Sequence, residues 1–325
     1  MRYTRICFIM ISFIFIIRIA SFAQTSGMVN KENDDGLRPH LFGHTFIPSL
    51  RVKDPFVLTS IRNSLGLGST IDLHVPILVI DEKEVLALQG DVMFATLHLE
   101  YKYAVKNWLA AWVQFSILAR LGTEAQTLLL NGINTGFGFD IGWLFKLYSN
   151  DRMFLSGTIH LRDDSFTDVD LVGFLEDLVD HEDTIYGRGL VRSTPSFRVG
   201  AGIRYAYAFN EMFGGSLKSE LDYGESIDRF SGTGWYTNIG VAVDMDLNPE
   251  TAVPIGFALS YFQESYFKGD ERVSSIPRTV SLRTEYTGRP DFSLGIDIIY
   301  NWYRSERYKE GIQFLNYIFS MQYYF

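Results

Sequence analysis

Residues 313–325 read QFLNYIFSMQYYF, and every second residue back from Phe325 is large and apolar: Tyr323, Met321, Phe319, Tyr317 and Leu315. The interleaved set, Tyr324, Gln322, Ser320, Ile318 and Asn316, is mostly more polar. Successive Cβ atoms point to opposite sides of a strand, so a period of two predicts a β-strand with one apolar face. The aromatic face and the mixed face must meet different surroundings.

The same alternation recurs upstream. Met93, Ala95, Leu97, Leu99, Tyr101, Tyr103 and Val105 stand against Thr96, His98, Glu100 and Lys102. Phe197, Val199, Ala201, Ile203, Tyr205, Tyr207 and Phe209 stand against Arg198, Gly200, Gly202, Arg204, Ala206 and Ala208. Ile239, Val241, Val243, Met245 and Leu247 alternate with Asn238, Gly240, Ala242, Asp244 and Asp246, and residues 292–302 behave alike. Continued along the chain, the pattern predicts about twelve strands, near 64–75, 91–105, 108–121, 133–147, 153–162, 196–209, 213–223, 235–247, 255–264, 278–287, 292–304 and 312–325. Alternate connections are short and turn-rich, such as Ser149-Asn150-Asp151-Arg152 and Gly288-Arg289-Pro290-Asp291, as turn chemistry requires. The others, 76–90, 122–132, 163–195, 224–234, 265–277 and 305–311, are mostly longer.

The closing strand, with Phe325 last and Tyr323 on the same face, resembles that of bacterial outer-membrane β-barrels. That resemblance implies an all-β, transmembrane, antiparallel up-and-down barrel over 64–325. It also implies a place in outer-membrane lipid of a Gram-negative bacterium, and a barrel-assembly machinery that reads Phe325 and Tyr323. An even strand count puts both termini on the periplasmic side, with the short turns. A soluble sandwich would also alternate, but its apolar face would turn inward. Here the interleaved face carries glycines and unlike charges, a poor filling for a dry core.

The other end agrees. Arg2 and Arg5 precede an apolar run from Ile6 to Ala20 and then Ser21-Phe22-Ala23, which predicts a signal peptide over 1–23. Arg18 weakens the apolar run, and the competing reading, a retained anchor, suffers from its shortness. The one cysteine, Cys7, lies inside that run rather than behind a cleavage site, which argues against a lipoprotein. The mature chain then has no disulfide and no thiolate metal site. Loss of Arg2, Arg5 and Arg18 takes the formal charge from −9 to −12, against a nucleic-acid partner. With 26 Phe, 18 Tyr and 28 Gly but mean hydropathy near zero, the chain is aromatic without a helical span. In lipid that leaves a closed barrel.

Three segments fall outside the plain pattern. Residues 24–63 begin with a polar Glu32-Asn33-Asp34-Asp35-Gly36 and continue through His40 to Pro48 and Asp54-Pro55-Phe56. Their prolines make a poor strand, and two readings stand: a plug in the barrel mouth or a stretch along the periplasmic rim. His40 and His44 have the spacing of a helical metal pair, but Pro39 and Gly43 argue against a helix. In the connection 163–195, Leu171, Phe174, Leu175 and Leu178 form an amphipathic stripe that predicts a short helix, either a lid on the mouth or a surface helix. Asp163, Asp164, Asp168 and Asp170 are oxygen donors for Ca²⁺, without EF-hand spacing.

The third feature is the inward face. Its candidate lining residues are His98, Glu100, Lys102, Arg120, Asp140, Arg198, Arg204, Lys218, Glu220, Asp222, Asp244, Asp246, Arg283, Glu285 and Asp297, together with Asp72 and Arg162. Such charges either pair across the lumen or line a polar channel. Enzyme motifs are weak: His160 and Ser165 lack the Asn-Gly context of phospholipase barrels, and Asp163-Asp164 with Asp180-His181 fall in or beside one loop. No cofactor and no metal is expected. The sequence reading is a passive channel or substrate-specific transporter for a small solute or hydrophobic cargo. A scaffolding barrel with an occluded lumen is second, and an outer-membrane hydrolase third.

Overall fold

The computed structural model describes residues 38–71, 74–80, 83–89, 92–121, 132–169, 191–194, 196–225, 232–268, 271–273, 277–305 and 308–325. The expected signal peptide, Glu32 to Gly36, Asp72, Asp170, the Leu171–Leu178 stripe and Asp180-His181 lie outside these residues.

Twelve strands form the wall: β1 (Ser60–Ile71), β2 (Met93–Lys106), β3 (Leu109–Leu121), β4 (Gly132–Ser149), β5 (Met153–Val169) and β6 (Phe197–Ala208). They continue as β7 (Phe213–Glu225), β8 (Thr233–Asp246), β9 (Ile255–Lys268), β10 (Arg278–Tyr286), β11 (Phe292–Ser305) and β12 (Tyr308–Tyr324). Each pairs antiparallel with its sequence neighbours, and β12 pairs β1, with Tyr324 opposite Ser60, so the sheet closes on itself. Closure leaves no unpaired edge, which is what a sheet in hydrocarbon needs.

The two faces separate as the alternation predicts. Val241, Val243 and Ile239 are exposed on the outside, whereas Gly240, Ala242 and Asp244 between them are buried. Outward Leu65, Ile159, Leu259 and Ile296 are likewise exposed, and the large charged side chains Arg198, Arg283 and Glu285 are buried inside. A water-soluble barrel would have the opposite polarity. Among the described residues, no helix is long and apolar enough to cross a membrane.

Short turns close one rim. Asn150 Oδ1 accepts from the backbone N–H of Arg152 and Met153 at 2.9 and 2.8 Å, and Asn210 does the same for Met212 and Phe213. These Asx turns reverse the chain at β4–β5 and β6–β7. In the β10–β11 turn, Arg289 donates to Asp291, and that hydrogen bond holds the exposed Asp291 carboxyl below the ordinary carboxylate range.

The opposite rim departs from the predicted loops, because several are strand rather than coil. β5 runs on to Val169 and pairs with Val191–Thr194, so Asp163 to Val169 is ladder, not loop. His74–Ile80 pairs antiparallel with Lys83–Gln89 across most of the 76–90 connection, and at the β11–β12 end Ser305 still pairs with Tyr308. β9 likewise extends to Lys268, facing Glu271–Val273. The first strand starts at Ser60 rather than 64. A long connection need not be irregular, because antiparallel neighbours keep pairing beyond the membrane as long as their backbones stay adjacent. The helix in the described residues is a single turn, Asn248–Thr251, on the short-turn rim between β8 and β9.

Arginine at outward-facing Val241 is expected to lower stability in lipid vesicles by about 2–4 kcal/mol, the usual cost near the bilayer midplane. Urea unfolding of the reconstituted barrel reads it. An unchanged midpoint would mean the strands are in the opposite register.

Candidate functional site

Residues 38–59 lie inside the barrel as an inner loop. At the short-turn rim, His40–Leu41 pairs with His44–Thr45 around Phe42-Gly43. Both central residues have positive φ, 48° and 79°, as a two-residue type I′ hairpin demands. The Arg152 guanidinium stacks over the Phe42 ring at 3.8 Å, which fixes this hairpin to the β4–β5 turn. From there the chain climbs. The backbone N–H of Ile47 donates to Asp244 on β8 at 2.8 Å, and Val52 reaches Gly240, four residues deeper on the same strand. It then descends along the opposite wall. Lys53 pairs with Glu100 at 2.9 Å, Asp54 with Lys102 at 2.7 Å, and Ser156 donates to the Pro55 carbonyl. Thr59 finally meets the rim, accepting from Ala104 N–H and, through its carbonyl, from Phe325 N–H.

Pro48 and Pro55, one on each limb, cannot donate to a ladder, which keeps the loop from becoming a thirteenth strand. Among the described residues, no backbone–backbone hydrogen bond joins residues 46–58 to the wall. Side chains hold the loop. Phe46 and Phe56 pack together at 5.2 Å between the limbs, on Ala206 and Ala208 of β6 and Phe154 of β5. Val57 packs on Ala110, Trp112 and Leu144. Burying each phenylalanine stabilises the loop by roughly 1.5–3 kcal/mol.

The wall is shaped to this loop. A Cβ at Gly240 would stand 2.8 Å from Val52, one at Gly256 would collide with Ile47, and one at Gly214 with His44. Glycines on β7, β8 and β9, with Ala206 and Ala208 on β6, thus form a shallow track. In the sequence alone the inward glycines argue only against a dry core. The missed signal was their clustering on consecutive strands, opposite a segment rich in Phe and Ile.

The structure places the described lining residues on the inward face and gathers most of them into ion-pair groups. Arg283 is the centre of one. It donates through Nε to Glu285 at 2.7 Å, through Nη1 to Asp297, and through the same nitrogen to Ser320 at 2.8 Å. Arg38 of the inner loop caps the same Glu285. A second group joins Asp140, Arg162, Arg204, Lys218, Glu220 and Asp222, with Glu220 touched by Arg204 at 3.2 Å and Lys218 at 3.0 Å. Arg198 bridges Asp164 and Glu264 and lies 4.0 Å from the Tyr236 ring centroid. Asp244 serves the loop, and Asp246 accepts from Thr287 and the Asn248 N–H at the rim. His98 and Arg120 are half-buried on β2 and β3. At the C-terminus, Tyr323 and Phe325 are exposed on the outside.

The two proposed histidine partners separate: His40 is exposed and contacts the Arg38 carbonyl, whereas buried His44 faces Asp244 at 3.3 Å. His160, Glu220 and Asp222 bring one ligand atom each within 4.8 Å of one another. Arg162, Arg204 and Lys218 already compensate those carboxylates, so a divalent ion would meet three cations there. The arrangement is an ion-pair cluster.

Several paired groups toward the long connections are more exposed than those near the short-turn rim, although Glu220, Asp222 and Arg198 stay buried there. Side chains of Arg283, Glu285 and Asp297, near the short-turn rim, are 0% exposed. Farther up, Glu100 is 14% exposed, Arg162 15%, Glu264 17% and Asp164 33%. Solvent thus reaches a charged chamber on the side of the long connections, and the inner loop lies between it and the short-turn rim.

No protein-family model and no curated protein matches the chain. Solved structures of similar outline include an outer-membrane channel from Pseudomonas putida F1 (11% identity, TM-score 0.49, covering 86% of this chain and 100% of that one). Others are the translocator domain of the autotransporter NalP from Neisseria meningitidis (10%, 0.48, 82% and 88%) and a Pseudomonas aeruginosa FadL homologue (9%, 0.41, 89% and 97%). These likenesses are loose, and the architecture rests on the chain's own strand pairing and on the polarity of its two faces. By those two features the chain is a closed twelve-stranded antiparallel β-barrel of the transmembrane kind.

Proposed function

We propose that this protein is an outer-membrane channel or substrate-specific transporter, closed at rest by the inner loop, residues 38–59. The observation that carries the reading is how the loop is held. It has side-chain contacts with the wall and no ladder with it, so its tip can leave without breaking the barrel. A twelve-stranded barrel lies between filled eight-stranded barrels and open sixteen-stranded porins, wide enough to pass a solute once such a loop moves. The signal-peptide pattern over 1–23 and the terminal Phe325 support export to outer-membrane lipid through the assembly machinery. The short turns then face the periplasm and the solvent-accessible chamber faces outward. The filled lumen favours a gated passage over a permanently open pore. It equally supports the second reading, a scaffolding barrel whose loop never moves.

A disulfide lock separates the two. Val52 and Gly240 approach closely enough for their β-carbons to fall within disulfide reach. With Val52→Cys and Gly240→Cys, the oxidised barrel should exclude solute in proteoliposomes, and reduction should restore entry. Entry that is equal in both redox states would overturn the gate. Exclusion in both states would favour the scaffold.

A further inference from the structure

Arg51 stands at the turning point of the inner loop, enclosed by the wall yet exposed to solvent. Among the described residues its guanidinium forms no ion pair or hydrogen bond, and its nearest ring is Phe262, 6.0 Å from the centroid. The other cations of this chamber are engaged: Arg162 with Asp140 at 3.2 Å, Lys53 with Glu100 at 2.9 Å, and Arg198 with Asp164 and Glu264 at 3.5 and 3.2 Å. The tip of the loop therefore presents the chamber with an arginine whose fork of donors is unused. A planar guanidinium takes a carboxylate or similar oxyanion with two parallel hydrogen bonds.

Asp164 and Glu264 act on Arg51 in this closed arrangement more strongly than the opposing field of Arg162. On balance they oppose a second anion there. With the tip displaced from them, the same guanidinium binds an anion more tightly. A ligand shifts a conformational equilibrium by its difference in affinity for the two states, so an anion favours the displaced loop. We propose that Arg51 is the solute-recognition residue of the gate, and that the solute class is small organic anions. This rests on reading residues 38–59 as the gate.

Gluconate and sorbitol, matched in chain length and differing in one carboxylate, make the probe pair. In swelling assays with phosphatidylcholine proteoliposomes, gluconate should enter about tenfold faster than sorbitol, the effect of one charge-assisted contact of roughly 1.4 kcal/mol. Arg51→Gln should bring the two rates together, and Arg51→Lys should keep part of the difference. A barrel lacking the inner loop should pass both solutes alike. Equal rates through the native barrel, or an unchanged ratio in Arg51→Gln, would overturn the assignment of Arg51 while leaving the gate intact. A loop-deleted barrel no more permeable than the native one would instead remove the gate reading, and this proposal with it.

Discussion

Excision of residues 44–56, with a flexible linker of about ten Gly/Ser residues in their place, is expected to turn a closed barrel into a conducting one. In planar bilayers the native protein should be mostly silent, and the shortened protein should show open steps and solute flux raised on the order of tenfold or more, since a lumen of this strand number is filled only by what folds into it. The excised stretch removes Ile47 and Val52 from the glycine track and Phe46 and Phe56 from Ala206 and Ala208. It removes the small His40–Leu41/His44–Thr45 pairing but leaves every register of the wall untouched, because the loop contributes no ladder to the wall. Heat-modifiable migration on gels reports that the barrel still folds. A folded, shortened barrel that stays silent would identify the protein as a scaffold whose own inward side chains occlude it.

Loss of the Arg283 guanidinium should be the most destabilising single change in the wall. Arg283 is fully buried and joins β10 to Asp297 and Ser320 on the two following strands, beside Glu285 on its own strand. Gly295 gives it room, since a Cβ there would come within 2.8 Å of its guanidinium carbon. Arg283→Met leaves the Asp297 carboxylate buried without its principal partner and Glu285 with Arg38 alone. Removing one member of a buried ionic group costs about 3–5 kcal/mol, whereas replacing the whole group with neutral residues costs far less. The quadruple change Arg38→Gln, Arg283→Met, Glu285→Gln and Asp297→Asn, which neutralises the whole group, should therefore recover much of the stability lost in Arg283→Met, measured by urea unfolding in vesicles. If the single and quadruple variants unfold alike, the four charges do not act as one unit.

Strand alternation carried nearly all of the fold in the sequence. A strand passing between lipid and lumen must change polarity with every residue, so Ile239 to Leu247 against Asn238 to Asp246 is legible without any contact information. Turn residues such as Asn150 and Asn210 mark the short rim by local chemistry alone. Phe325 and Tyr323 show which strand closes the barrel, and the charged inward residues are named by the same period.

The rest depends on contacts between residues far apart in the chain. That Arg38 reaches Glu285, Asp54 reaches Lys102 and Ile47 reaches Asp244 cannot be read from spacing, because each pair is brought together by barrel closure across at least forty-eight positions. Residues 46–58 have no period because they form no ladder with the wall. Pro48, Pro55 and the two phenylalanines are equally compatible with a plug and with a rim segment. Which one forms is decided by whether the wall has space for them, and that space comes from Gly214, Gly240 and Gly256 lying on the inward face of adjacent strands, each under a different residue of the loop. The sequence by itself determined the barrel and its two faces, since period and turn chemistry are local. Only the tertiary structure decided what fills the lumen, since shape complementarity exists only once distant strands are side by side.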